Sequence, residues 1–387
     1  MRATLEPSSL DAGHASIAVT VTNATDASVE VELRGVACRI REQQQQQPPE
    51  AAWRARIKLL PRESREIDLG AQAFKAPELW WPIGLGPQTL YEAEVSAHVR
   101  GGTRDLSHAV RTRFGFRELR SFVDAKTGGR SFVCNEVPVY IRGSNYIAPD
   151  MLLRASKQRC YDEVRMHANM GMNMIRMWGG AGIPYPALYD ACDEYGILCW
   201  SEFWITGDCD GRGATPDSPI SNPDWPEVSS HRIPSPIALP LTLSLQDHAL
   251  FLACAGDTIK LLRNHPSVAL WCGGNEQRPC EELDKGLASL VRDLDCDARP
   301  YICGSLWDGF GEGNGAFSDG PYGIVDDAAF FAPSFYDYGF NPEIGSVGVP
   351  SAESVRAIMS PGGGGQVPPT YARGADGTVQ EHVPAAW

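Results

Sequence analysis

Two glutamates stand where short apolar runs end. Glu276 closes the stretch SVALWCGGNE, and Glu343 lies in GFNPEIGSVG, downstream of FFAPSFYDYGF. A pair of carboxyl groups roughly 5–5.5 Å apart can break a glycosidic bond with retention of configuration. One is protonated and donates to the leaving oxygen; the other is ionised and attacks the anomeric carbon. A lone glutamate is more often a solvated surface carboxylate. Two of them at the ends of short apolar strands form a candidate pair. Asn275 precedes Glu276, where its amide can reach a sugar hydroxyl.

Strand ends are where a β/α barrel keeps its chemistry. The elements that would supply them follow Phe116, where short apolar runs alternate with helical patterns. VPVYIRG reads as a strand, MNMIRMW as the next, ILCWSEFW as a third and SVALWCGG as a fourth. Between the first two, Ser156 can cap a helix whose Tyr161, Val164 and Ala168 share a face, with Gly171 ending it. YPALYDACDEYG is a second helix; Leu252, Ala255, Ile259 and Leu262 mark another, stopped before Pro266. Residues 212–240, rich in Pro, Ser and Asp, read as a long loop. Repeated β-α units indicate a parallel sheet or barrel. No G-x-G-x-x-G follows the first strand, so a barrel is preferred over a nucleotide-binding doubly wound sheet. The strand ends are polar and aromatic: Asn145, Arg176 with Trp178, Glu202 with Trp204, and Asn275-Glu276. Trp204, Asp208 and Asp210 then sit after the third strand, in sugar contact or simply solvated. DCDGRG lacks the acidic positions of a calcium loop, so no metal is expected there.

Residues 1–117 have a different texture. ASIAVTVTN, ASVEVELRGVACRI and TLYEAEVSAHVR alternate, which predicts a small antiparallel β-sandwich. Five glutamines at 43–47 followed by two prolines read as a disordered hairpin insertion. No acid, base and nucleophile cluster in this part.

The 387 residues are 43% hydrophobic and 21% charged, ordinary for a globular chain, and the net charge of −14 argues against nucleic acid. No signal peptide or transmembrane segment is visible, so no membrane partner is expected, and cytosol or a vacuolar lumen fits. The eleven cysteines, including Cys192, Cys199, Cys254 and Cys272 on expected core elements, form no CxxC pair and fit free thiols. Ten tryptophans suit either core packing or sugar faces.

The segments RTRFGFREL, VYIRGSNYIAPDMLLR, MNMIRMWGGAG, LYDACDEYGILCWSEFWITGDCDGRG, LLRNHPSVALWCGGNEQ, SDGPYGI and YGFNPEIGSVGVPSAESVRA occur in one order. In that order the chain resembles glycoside hydrolase family two, in its plant-type endo-β-mannosidase branch. LWWPIGLGPQTLYEAEV looks like the immunoglobulin-like domain before that family's barrel. The resemblance implies a (β/α)8 barrel, with Glu276 as acid/base after the fourth strand and Glu343 as nucleophile near the end of the seventh. It implies that Asn275 binds the 2-hydroxyl and that Arg176 and Trp178 line the same subsite. Tyr322 would sit near the nucleophile. The implied substrate is an oligosaccharide or glycopeptide carrying the Manβ1-4GlcNAc linkage of N-glycan cores, with no cofactor. Exo-acting β-mannosidases and exo-β-glucosaminidases of the family, or an inactive sugar-binding fragment, are the alternatives. Arg176 is the candidate cation that keeps one carboxylate ionised; its bland reading is a salt bridge in the barrel wall. For Trp178 the bland reading is core filling, and for Asn145 a loop cap.

The chain departs from the family at both ends. It starts after the usual sugar-binding jelly roll, and the tail from residue 361 is Gly- and Pro-rich with no apolar run for an eighth strand. The expected division is a sandwich at 1–117, a barrel lacking its last strand at 118–360 and an irregular tail at 361–387. Residues 277–342 leave only 66 positions for strands five to seven. An unclosed barrel exposes strand edges, so weak activity and low stability are expected of the isolated chain.

Overall fold

The computed structural model describes residues 1–6, 9–41, 48–101, 106–148, 152–181, 185–206, 242–276, 278–296, 298–310, 340–345, 370–373 and 379–382, with 326, 328, 332 and 353. The polyglutamine stretch, the 212–240 segment, Asp208, Asp210 and Tyr322 lie outside them.

The first seven strands are β1 (Arg2–Glu6), β2 (Ser9–Thr22), β3 (Val29–Arg39), β4 (Ala51–Leu59), β5 (Ser64–Lys75), β6 (Tyr91–Val99) and β7 (His108–Phe114). They form two antiparallel sheets, β1-β2-β5 and β4-β3-β6-β7. Alternation predicted this because each strand has one covered face. In β3, Val31, Leu33 and Ala37 are buried while Glu32 and Arg34 point away. Trp53, Phe74, Tyr91, Phe114 and Phe116 fill the space between the sheets. Tyr91 stacks on Phe114 at 5.4 Å, and Phe74 lies 4.9 Å from Phe116. Each such side chain contributes about 1.5–3 kcal/mol on burial.

Three short strands follow: β8 (Leu119–Val123), β9 (Arg130–Cys134) and β10 (Val137–Val139), an antiparallel meander. Here the sequence reading of VPVYIRG as one strand is corrected. Asn135 and Glu136 both have positive φ, 47° and 67°, so the chain makes a two-residue hairpin and Val137–Val139 pairs back onto β9. The first parallel strand begins only at Gly143. A Cβ there would lie 2.7 Å from the Met174 carbonyl, so only glycine allows this approach.

The second half is a five-stranded parallel sheet: β11 (Gly143–Tyr146), β12 (Met174–Met177), β13 (Leu198–Glu202), β14 (Val268–Cys272) and β15 (Tyr301–Ile302). The strands sit side by side in chain order. Between them run α1 (Lys157–Asn169), α2 (Pro186–Tyr195), α3 (Thr242–Leu262) and α4 (Glu281–Asp295). The Ser156 hydroxyl accepts from Arg159 N–H, the expected cap of α1. Gly196 ends α2 with φ +74°. α4 and β15 were not anticipated.

One face of this sheet packs on the helices. Ile175, Cys199, Val268 and Trp271 join Val164, Leu188, Ala255, Ile259, Leu283 and Leu287 there. The other face carries Met174, Leu198, Trp200, Leu270, Cys272 and Ile302, packed on Phe132, Cys134 and Val139 of the meander and on Trp80 and Phe310. A register shift opposite Cys199/Trp200 lets both Ala269 and Leu270 join this inner layer, the signature of a β-bulge.

The halves are tied by polar contacts. Trp80 is fully buried and its Nε1–H donates to the Asp193 carbonyl at 2.8 Å. Arg113 pairs with Asp190 and Glu194, both at 2.5 Å. Arg117 donates to the carbonyls of Pro266 and Val268 at 2.5 and 2.6 Å. The described cysteines are free thiols; Cys192, Cys199 and Cys272 are buried, but Cys254 faces outward on α3 rather than into the core.

Candidate active site

On the inner face, period-two alternation sets which side chains meet. Met174 and Arg176 point one way on β12; Leu198, Trp200 and Glu202 do so on β13. Register puts Asn145 beside Arg176, Arg176 beside Trp200, and Glu202 beside Cys272. The layers are therefore apolar toward the strand starts and charged at the carboxyl ends. Trp200 separates them, its ring 5.3 Å from the Arg176 guanidinium carbon.

Arg176 is the hub. It is 3% exposed, and all three guanidinium nitrogens are used. Nε donates to Glu202 Oε1 at 2.6 Å, one terminal nitrogen to Glu343 Oε1, and the other to Asn275 Oδ1. Burial opposes the charge, but Glu202 and Glu343 outweigh it and hold the guanidinium protonated more firmly than usual. The side chains of Glu202 and Glu343 are 0% and 3% exposed. Glu202 Oε2 also accepts from Gly179 N–H at 3.0 Å. Glu343 N–H donates to Asn341 Oδ1 at 2.9 Å, which fixes the turn that carries it.

Asn275 is buried, and its N–H donates to the Ile205 carbonyl, joining the loops after β13 and β14. Glu276 next to it is exposed and has φ +55°, a left-handed backbone that costs a side-chain-bearing residue about 1–2 kcal/mol. Its N–H donates to the hydroxyl of fully buried Ser305 at 2.8 Å, and Ser305 N–H donates to the Gly274 carbonyl. The loop after β15 thus holds the loop after β14 in that conformation.

Trp178 is half-buried, and its N–H donates to the Tyr146 carbonyl. Its ring lies over Gly180, where a Cβ would come within 2.2 Å. Asn145 is exposed at the sheet's first strand. Trp204 sits half-buried on the helix side, edge-on to Phe251 at 5.6 Å. A cavity of about 40 Å³ is lined by Trp178, Glu202 and Trp204, among others. That is room for water rather than for a ligand, whose pockets run from about 300 Å³. A larger cleft of about 950 Å³ lies between the sandwich and the loops around Pro266 and Asp295, away from these carboxylates.

The structure therefore brings Arg176, Asn275 and Glu343 into one hydrogen-bonded group, with Glu276 adjoining it in the chain. It adds Glu202, which the sequence reading left as a strand end. Its parity with Leu198 and Trp200 was the available signal. Asp190, Asp193 and His265 could offer three ligand atoms to a cation, but they are engaged by Arg113, by Ser267 N–H and by one another.

Comparison with known proteins bears on this geometry. Residues 2–117 match the sequence model for Glycosyl hydrolases family 2. A mannosylglycoprotein endo-beta-mannosidase of Lilium longiflorum is 44% identical over 340 residues, 81% of this chain and 33% of the relative. A beta-mannosidase B of Aspergillus clavatus is 32% identical over 58% of this chain and 22% of its own. The exo-chitosanase of Amycolatopsis orientalis superposes with a TM-score of 0.71 at 22% identity, over 92% of this chain and 38% of that one, a likeness of fold. The chain spans about a third of the length of the lily relative.

Proposed function

This chain is a relative of the glycosyl hydrolases of family 2, and on that premise we propose that it cleaves a β-mannosidic bond with retention, by double displacement. Glu343 attacks the anomeric carbon and Glu276 protonates the leaving oxygen, then deprotonates the water that releases the sugar. The observation that carries this reading is the buried guanidinium of Arg176 shared by Glu343, Glu202 and Asn275 at the carboxyl ends of parallel strands. A cation donating to a buried carboxylate favours its ionised, attacking form. Glu276, exposed on its left-handed turn, is open to exchange protons with solvent. Asn275 holds the 2-hydroxyl, Trp178 offers an aromatic wall and Asn145 stands beside Arg176; Asp208 and Tyr322 are the further sugar contacts expected from the sequence, and Trp204 packs on the helix side.

The architecture in this reading is an immunoglobulin-like sandwich at 1–117, a catalytic (β/α)8-type barrel at 118–360 whose first five strands are β11 to β15, and a tail at 361–387. Sequential strand order without a reversal supports a barrel over a doubly wound sheet. The substrate is the Manβ1-4GlcNAc linkage within an N-glycan core, in line with the name of the lily relative.

Incubation with a Manα1-6Manβ1-4GlcNAc glycopeptide and, separately, with an aryl β-mannoside tests this. Release of the intact disaccharide Manα1-6Man is expected. Cleavage of the aryl mannoside alone would instead indicate exo action. Inertness toward both would sink the reading.

A further inference from the structure

We propose that Glu202 is a positioning residue for Glu343: it fixes the plane of the Arg176 guanidinium and so aims the remaining nitrogens at Glu343 and Asn275. The inference rests on the reading of Glu343 as nucleophile. A guanidinium is a rigid planar fork, so one short bond at Nε together with the side chain's own direction sets where the other two nitrogens point. Glu202 makes that bond at 2.6 Å. Glu202 is itself held from its second oxygen by Gly179 N–H at 3.0 Å, and it packs in the inner layer beside Cys272. Both of its oxygens are engaged within the protein, one by Arg176 and one by Gly179 N–H, so it acts through Arg176 and not on the sugar.

Gly179 is suited to this task. A Cβ at that position would lie 2.3 Å from the Phe203 carbonyl, so only glycine brings the end of β12 close enough for its N–H to reach Glu202. Trp200 closes the guanidinium from below by lying 5.3 Å from its central carbon. Arg176 is thus clamped at its edge by Glu202 and on one face by an aromatic ring. The two nitrogens left over engage the residues that would handle the sugar.

The same arrangement makes Glu202 an electrostatic rival of Glu343. Among the described residues, the groups gathered on Arg176 are Glu343, Glu202 from β13 and the Asn275 amide, with the Cys272 thiol of β14 beside Glu202 and Arg176. Cys272 is kept neutral, since burial pushes its thiol well up. One cation is therefore shared between two buried carboxylates. Replacing Glu202 by a neutral isostere removes a negative charge from this group, which makes Glu343 easier to ionise even with the guanidinium less well aimed. Proton binding at Glu343 then weakens, and the acid limb of the pH–rate profile moves to lower pH. A role confined to packing slows turnover without moving that limb.

The test uses the full chain and the Manα1-6Manβ1-4GlcNAc glycopeptide, comparing wild type, Glu202→Gln and Glu202→Asp, with circular dichroism to check folding. For Glu202→Gln we expect kcat to fall about 10- to 100-fold from the misplaced guanidinium and KM to stay within about threefold. Its acid limb should shift down by about one pH unit. Glu202→Asp keeps the charge but withdraws it by one methylene. Its kcat should fall about tenfold with the acid limb in place, and this arm decides the matter if the Gln variant does not fold. An active wild type whose Gln or Asp variant keeps full kcat, or a Gln variant whose acid limb stays or rises, overturns the positioning role and leaves the nucleophile assignment standing. A wild type that neither turns over nor forms a covalent adduct with a 2-fluoromannosyl fluoride overturns both.

Discussion

Two buried arginines divide the molecule. Arg176, at the strand ends, is surrounded by charge and spends its donors on two carboxylates and an amide. Arg117, at the junction of sandwich and parallel sheet, spends its donors on two backbone carbonyls. Burial pushes Arg117 down to about 10, helped by neighbouring Arg299, while the carboxylates drive Arg176 the other way. Both remain charged at neutral pH, but they serve different ends. Neutral carbonyls fix a joint without an ion pair at the guanidinium itself. Opposed charges fix a joint too, and they leave a strong local field that a reaction can use.

The comparison can be broken most sharply at Glu343. Glu343→Gln should lower turnover by about 10⁴-fold or more and abolish the covalent adduct seen by intact mass; an adduct that persists would place the nucleophile elsewhere. Next in size is Arg176→Met, which leaves two buried carboxylates without their cation. Urea unfolding should show a loss of about 3–5 kcal/mol. If the variant is as stable as wild type, the hub carries no net stabilising interaction. Arg117→Met strands two carbonyls and should cost about 1–3 kcal/mol in the same assay, with kcat per folded molecule unchanged. A collapse of kcat there would erase the distinction between joint and site. The smallest effect is expected of Ser305→Ala, which removes the acceptor for Glu276 N–H. A loss of about 1 kcal/mol and a severalfold drop in kcat should follow, and an unchanged kcat would free Glu276 from that support.

Legibility in the sequence followed the same division. The sandwich strands were readable because one face of each is wet, so hydrophobicity alternates; β3 with Val31, Leu33 and Ala37 is the clear case. Helix α1 was readable from its cap, since Ser156 does what its side chain can do locally. The parallel strands β12 to β14 were located, but their facing was not. A strand covered on both sides reads as a continuous apolar run, and VALWC buries all five residues. That hid the bulge at Ala269. The β10–β11 division was hidden because it depends on two non-glycine residues at positive φ, which composition does not advertise. Glu202 was visible as a residue but not as a partner of Arg176, for that bond spans 26 positions and exists only once the sheet pairs.

The left-handed backbone at Glu276 bears on whether such a chain is a catalyst or a relic. Glycine relaxes there at no steric cost, and asparagine or aspartate tolerate it better than glutamate. A relic free of chemical duty would gain stability by drifting to one of them. With Glu276 as the proposed acid/base, a long carboxylate on that turn trades stability for chemistry. Thermal stability and turnover should therefore pull position 276 in opposite directions, and a library randomised there and sorted separately for each would end on different residues.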